Sequence, residues 1–134
     1  MADVELRLGW VIVYVDDPAA VSAFYVETFG LRAGFTAPDS SYAQLDTGPT
    51  KLAFASYALG AQNFTGGVGR AALDAQPANV EITLVADDVD TAHARALDAG
   101  CTPLAPPTDK PHGQRVAYVR DPFGTLIELA TPLS

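Results

Sequence analysis

The chain has 134 residues, 49% of them hydrophobic and 18% charged, a globular composition with enough apolar material for one domain-sized core. Sixteen acidic against eight basic residues give a formal charge of −8 with no Lys or Arg run, so nucleic acid and membrane surfaces are not expected partners. The apolar run Trp10–Val15 is closed by Asp16 and Asp17, so neither a signal peptide nor a span is read, and lone Cys101 precludes an internal disulfide; the cytoplasm is the expected compartment.

From the N-terminus, Trp10–Val15 is a run of β-branched and aromatic residues that reads as a buried strand. Asp17 then offers an N-cap oxygen and Pro18 suits the first helical position. Val21, Phe24, Tyr25 and Phe29 form one helical stripe that ends at Gly30. Three short strands are expected at 31–35, 42–46 and 51–57, separated by "APDS" and "TGP".

The same grammar returns after residue 79. A strand at 80–86 precedes Asp87 and Asp88, a helix carries Val89, Ala92, Ala96 and Leu97, and Gly100 stops it. Strands are expected at 101–105, Arg115–Arg120 and 125–130, with "RDPFG" as the last turn. The Asp pairs align at a shift of 71, placing Trp10 over Glu81; further on a shift of 75 places Ala53 over Glu128. Conserved element order with weak identity argues for duplication.

The expected organisation is therefore one structural domain with a module at 5–58, a connection at 59–78 and a second module at 79–132. Residues 58–79 lack a steady period and read as a functional loop or linker. Its "GGVGR" is not a phosphate cradle, because no strand leads into it and no Lys-Ser or Lys-Thr follows. Cys101 reads as a buried structural thiol.

Glu81 and Glu128 stand out, each inside an otherwise apolar strand where an unpaired carboxylate is costly to bury. Strand alternation puts Glu81 with Thr83 and Val85, and Glu128 with Leu126 and Ala130, leaving Ile82, Leu84, Ile127 and Leu129 for the helices. Two readings stay open. The acids pair with an Arg such as Arg115 or Arg120 or reach water, or they line a ligand or metal site. His93 reads as a satisfied or exposed helix residue. His112, in "PHGQR", reads as a loop residue, a rim contact or a metal ligand. Neither has a placed Ser or Cys neighbour, and GxSxG is absent.

The duplicated β-α-β-β-β order, the opening "WVIVYVDDPAAVSAFYVETFGL" and the closing "KPHGQRVAYVRDPFGTLIELATP" resemble the vicinal-oxygen-chelate superfamily of glyoxalases, extradiol dioxygenases, fosfomycin-resistance enzymes and bleomycin-resistance proteins. The resemblance implies an α+β fold: two tandem βαβββ modules forming a curved mixed sheet around a cup, with helices on the outer face. It also implies metal-ligand columns on the first and last strand of each module. Here those columns hold Trp10, Ala53, Glu81 and Glu128, and only the two glutamates can bind a metal. Alternation adds Ile12 and Tyr14 to the face of Trp10, and Ala55 and Tyr57 to that of Ala53.

What this implies is a homodimeric, bleomycin-resistance-like protein that binds a small, partly aromatic molecule in the cup through Trp10, Ile12, Ala53, Ala55, Tyr57, Glu81, His112 and Glu128, with no metal or other cofactor. The alternative is a lyase, isomerase or dioxygenase of the same superfamily. It would use Glu128 and Glu81 either as catalytic acid and base or as the residual ligands of a divalent metal.

Overall fold

The structure, a computed structural model, describes residues 3–133 and divides into two compact units, one reaching to Arg70 and the other starting at Ala71. The first unit contains β1 (Trp10–Val15), α1 (Pro18–Phe29), β2 (Ala33–Thr36), β3 (Tyr42–Leu45), β4 (Lys51–Ser56) and α2 (Tyr57–Asn63). The second contains β5 (Glu81–Val85), α3 (Val89–Asp98), β6 (Thr102–Asp109), β7 (Arg115–Arg120) and β8 (Leu126–Ala130). Each unit forms a four-stranded mixed sheet, in the orders β1-β4-β3-β2 and β5-β8-β7-β6, so the α+β class and the two tandem βαβββ modules are as the repeat predicted. The first and last strands of each module are parallel neighbours and the remaining pairs are antiparallel.

Local chemistry accounts for the helices. The Asp17 carboxylate accepts from the Ala20 amide, Pro18 opens α1, and Gly30 closes it at a φ of 71°, a left-handed conformation that glycine adopts without a Cβ penalty. In α3 the Asp88 carboxylate accepts from the Thr91 amide. Alternation does the rest. Val21 and Tyr25 are buried with Leu45 and Phe54, and the Tyr25 and Phe54 rings lie 5.0 Å apart. In the second unit Val89 and Ala96 are buried with Val119, Ile127 and Leu129, so each helix covers one face of its own sheet. Burying side chains of this size stabilises by about 1.5–3 kcal/mol each.

Two elements depart from expectation. Residues 57–63 form α2 rather than a strand end and a loop, because the Ser56 hydroxyl accepts from the Leu59 amide and caps a helix. Tyr57 therefore leaves the β4 face and meets the Arg70 guanidinium, 4.3 Å from its ring centroid. The strand expected at 101–105 continues to Asp109 through Pro106 and Pro107, which is tolerated because β6 is an edge strand and needs partners on one side only. Cys101 is buried, as expected. No helix among the described residues is long and apolar enough to cross a membrane.

Candidate functional site

With one face of each sheet covered by its helix, the opposite faces carry the candidate residues. On the first sheet, register places Trp10 beside Lys51, Ile12 beside Ala53, and Ala53 beside Gln44. The Trp10 indole N–H reaches across β4 and donates to the Gln44 side-chain oxygen at 2.8 Å, and the Tyr42 hydroxyl donates to the same oxygen at 2.8 Å. That span is feasible because β4 offers alanine rather than a larger side chain between its neighbours.

Trp10 remains 56% exposed and Ile12 42%, while Ala53 and Ala55 are buried. The two alanines thus share the expected face but present no surface to a guest; Trp10, Ile12, Tyr42 and Gln44 form it instead. Phe35 extends the wall, its ring 6.4 Å from that of Tyr42. Tyr14 faces the same way but is covered by α2: a Cβ on Gly60 would stand 2.8 Å from its ring. Tyr57 is removed from the wall altogether.

On the second sheet, Thr83, Glu128 and Tyr118 form one row across three strands. The Thr83 hydroxyl lies 3.0 Å from Glu128 Oε1 and 3.1 Å from Glu81 Oε2, and the Tyr118 hydroxyl donates to Glu128 Oε2 at 2.7 Å. Neither glutamate is buried, so the expected burial cost does not arise. Nor does either pair with an arginine. Arg115 binds Asp90 and Asp109, and the buried Arg120 donates to the carbonyls of Ala72, Leu73, Ala75 and Gly124. The Tyr118 hydroxyl is pushed up to about 12, first by its hydrogen bond to Glu128, then by desolvation and by the negative charge of Glu128 and Glu81.

The histidines do not join these residues. His112 Nε2 lies 2.7 Å from the Gln114 side-chain oxygen on an exposed turn. His93 is neither exposed nor satisfied: its Nε2 is buried in the second unit without a hydrogen-bond partner. A separate cleft of about 540 Å³ in the first unit opens at the start of α1, between Asp17, Ser40 and Ser56. Its polar groups already serve local structure, since Asp17 accepts from Ser40 and Ala20 and Ser56 caps α2.

The model of the Glyoxalase/Bleomycin resistance protein/Dioxygenase superfamily matches residues 7–129. The chain belongs to this superfamily. A glyoxalase-related enzyme from Fulvimarina pelagi is similar, with a TM-score of 0.78 and 22% identity over 94% of this chain and 88% of that one. TioX from Micromonospora sp. ML1 gives 0.67 at 26% identity over 93% and 98%. Lactoylglutathione lyase from Agrobacterium tumefaciens gives 0.67 at 24% over 93% and 92%. No curated protein matches the sequence.

Set against the metal-ligand columns of metal-dependent superfamily members, the residues present do not make up a ligand set. Trp10 commits its only polar atom as a donor to Gln44, Ala53 has none, and Glu81 and Glu128 are two carboxylates where at least three protein ligands are usual. Among the described residues no group of three or more His, Cys, Asp and Glu side chains is gathered to hold a metal. Gln44, Tyr42 and Tyr118 are neighbours of the candidate residues that the sequence did not single out. Alternation within "YAQL" and "RVAYVR" carried the signal, but only the strand order showed that they sit beside the ligand columns.

Proposed function

We propose that the protein binds a small, partly aromatic molecule and does so without the metal site of the metal-dependent superfamily members. The observation that carries this reading is Trp10. Where those members place a ligand, an indole is tethered through its N–H to Gln44 and leaves its ring exposed beside Ile12 and Tyr42. Aromatic rings fixed in this way suit flat apolar guests and lose little rotamer freedom when one binds.

Thermal-shift screening of the intact protein against aromatic metabolites and antibiotics tests the proposal, with metal analysis of protein purified without chelator. A binder raises the unfolding midpoint by mass action. Trp10→Ala is expected to abolish the shift. A stoichiometric divalent metal that disappears in Glu128→Gln would overturn the metal-free reading. Absence of a shift with every aromatic compound would overturn the aromatic wall.

A further inference from the structure

Gln44 projects from β3 on the face away from α1, alternating with Ala43 and Leu45, which are buried on the helix side. Its side-chain oxygen accepts from two donors, the Trp10 indole N–H of β1 and the Tyr42 hydroxyl two residues away on β3, each at 2.8 Å. An indole nitrogen only donates, so the amide can face Trp10 only with its oxygen. Desolvation pushes the Tyr42 hydroxyl above its ordinary value, so at neutral pH it keeps its proton and donates as well. Both lone pairs of the oxygen are taken, and the orientation of the amide is fixed.

The nitrogen end of the amide is not used in this way. Gln44 Nε2 donates to none of the described residues, and it is not one of their buried polar atoms without a partner, so its hydrogens face solvent. Of the other side chains of the wall, Ile12 and Phe35 have no polar atom, and Trp10 and Tyr42 have committed their only polar hydrogens. Lys51, beside Trp10 in the register, directs its ammonium to Asp46 at 3.0 Å. The wall therefore ends in one oriented pair of neutral donors beside an exposed indole.

Resting on the small-molecule-binding reading above, we propose that Gln44 determines specificity on this wall, its amide N–H groups selecting a flat guest that carries a neutral acceptor, a carbonyl oxygen or a ring nitrogen, on the edge of its ring. Trp10 and Tyr42 are then positioning residues as well as wall, because they hold the amide with its donors outward. Every residue of this arrangement belongs to the first unit.

Three bicyclic probes of nearly equal shape test this by NMR titration of the intact protein: 1-indanone with an acceptor on its edge, indole with a donor, and indane with neither. 1-Indanone is expected to bind about fivefold more tightly than indane, the ratio that one net hydrogen bond supplies, and indole no more tightly than indane. The side-chain amide signals of Gln44 should move with 1-indanone and stay in place with indane, a readout that needs no substitution. Trp10 is the single tryptophan of the chain, so its indole N–H signal reports the approach of all three. Gln44→Glu keeps an oxygen for Trp10 and Tyr42 and removes both donors. In that variant 1-indanone should lose its advantage and indole should move ahead, an inversion that a purely structural role would not produce.

Absence of a preference for 1-indanone among probes whose binding Trp10→Ala weakens would overturn the acceptor selection and leave the aromatic wall standing. A preference that survives Gln44→Glu, or that leaves the Gln44 amide signals unmoved, would also overturn it. A preference that needs Gln44 but ignores Trp10→Ala would keep the role of the amide and remove the wall. Binding of none of the three would overturn both.

Discussion

Replacing Arg120 by Met removes a buried guanidinium while keeping an unbranched apolar stem. Arg120 is 5% exposed, and its Nε donates to Gly124 O at 3.0 Å, its Nη1 to Leu73 O at 3.2 Å and to Ala75 O, and its Nη2 to Ala72 O at 3.0 Å. It belongs to none of the ion pairs that Asp16, Asp46, Asp90 and Asp109 form, and carbonyl dipoles from four residues stabilise the charge. Each net hydrogen bond contributes about 1 kcal/mol. Relief of the desolvation of a buried charge offsets part of the loss.

A destabilisation of about 3 kcal/mol follows, roughly a 10 °C fall in the thermal midpoint for a chain of this size. Urea unfolding followed by circular dichroism measures it, and limited proteolysis should show residues 71–79 cut faster in the variant. Arg120→Lys should lose nearly as much, because a single ammonium cannot reach carbonyls spread from Ala72 to Gly124. A change below about 0.5 kcal/mol in Arg120→Met, the range of an ordinary surface substitution, would refute the reasoning.

Two further outcomes concern ionisation. Tyr118 should be among the last tyrosines to ionise in a spectrophotometric titration, near its value of about 12, and Glu128→Gln should bring it down, since the hydrogen bond to Glu128 is the largest cause. Because its folded value lies above the unfolded one of about 10, its contribution to stability is complete below that pH and is lost as pH rises toward 12. Cys101, pushed up to about 12 by burial and then by the charge of Asp121, should resist thiol reagents at pH 8 in the native protein and react at once in urea; fast native labelling would contradict its burial.

Much of the architecture was legible because its signals are local. Asp17-Pro18 and Gly30 mark the two ends of α1, Asp88 starts α3, and the alternation in "NVEITLV" and "TLIELA" put both glutamates on the face away from the helix. The repeat even aligned the columns correctly, since Ile12 pairs with Ala53 as Thr83 pairs with Glu128. Where reading failed, a single side chain had tipped a local balance. The Ser56 cap turned Tyr57 into a helix, and the edge position of β6 let two prolines stay in a strand.

Residue order by itself determined the duplication and the order of its elements, because period, caps and spacing are written along the chain, while the cup and the four ligand columns were implied by the superfamily resemblance. Only the tertiary structure decided what the residues in those columns touch. Trp10 meets Gln44 across 34 residues and Thr83 meets Glu128 across 45, contacts that exist only once the parallel outer strands are paired. Pairing buried Ala53 and Ala55, gave Arg115 and Arg120 partners other than Glu81 and Glu128, and set Tyr118 against Glu128. Side chains that a strand merely points outward acquire chemistry from the neighbours that the sheet register supplies.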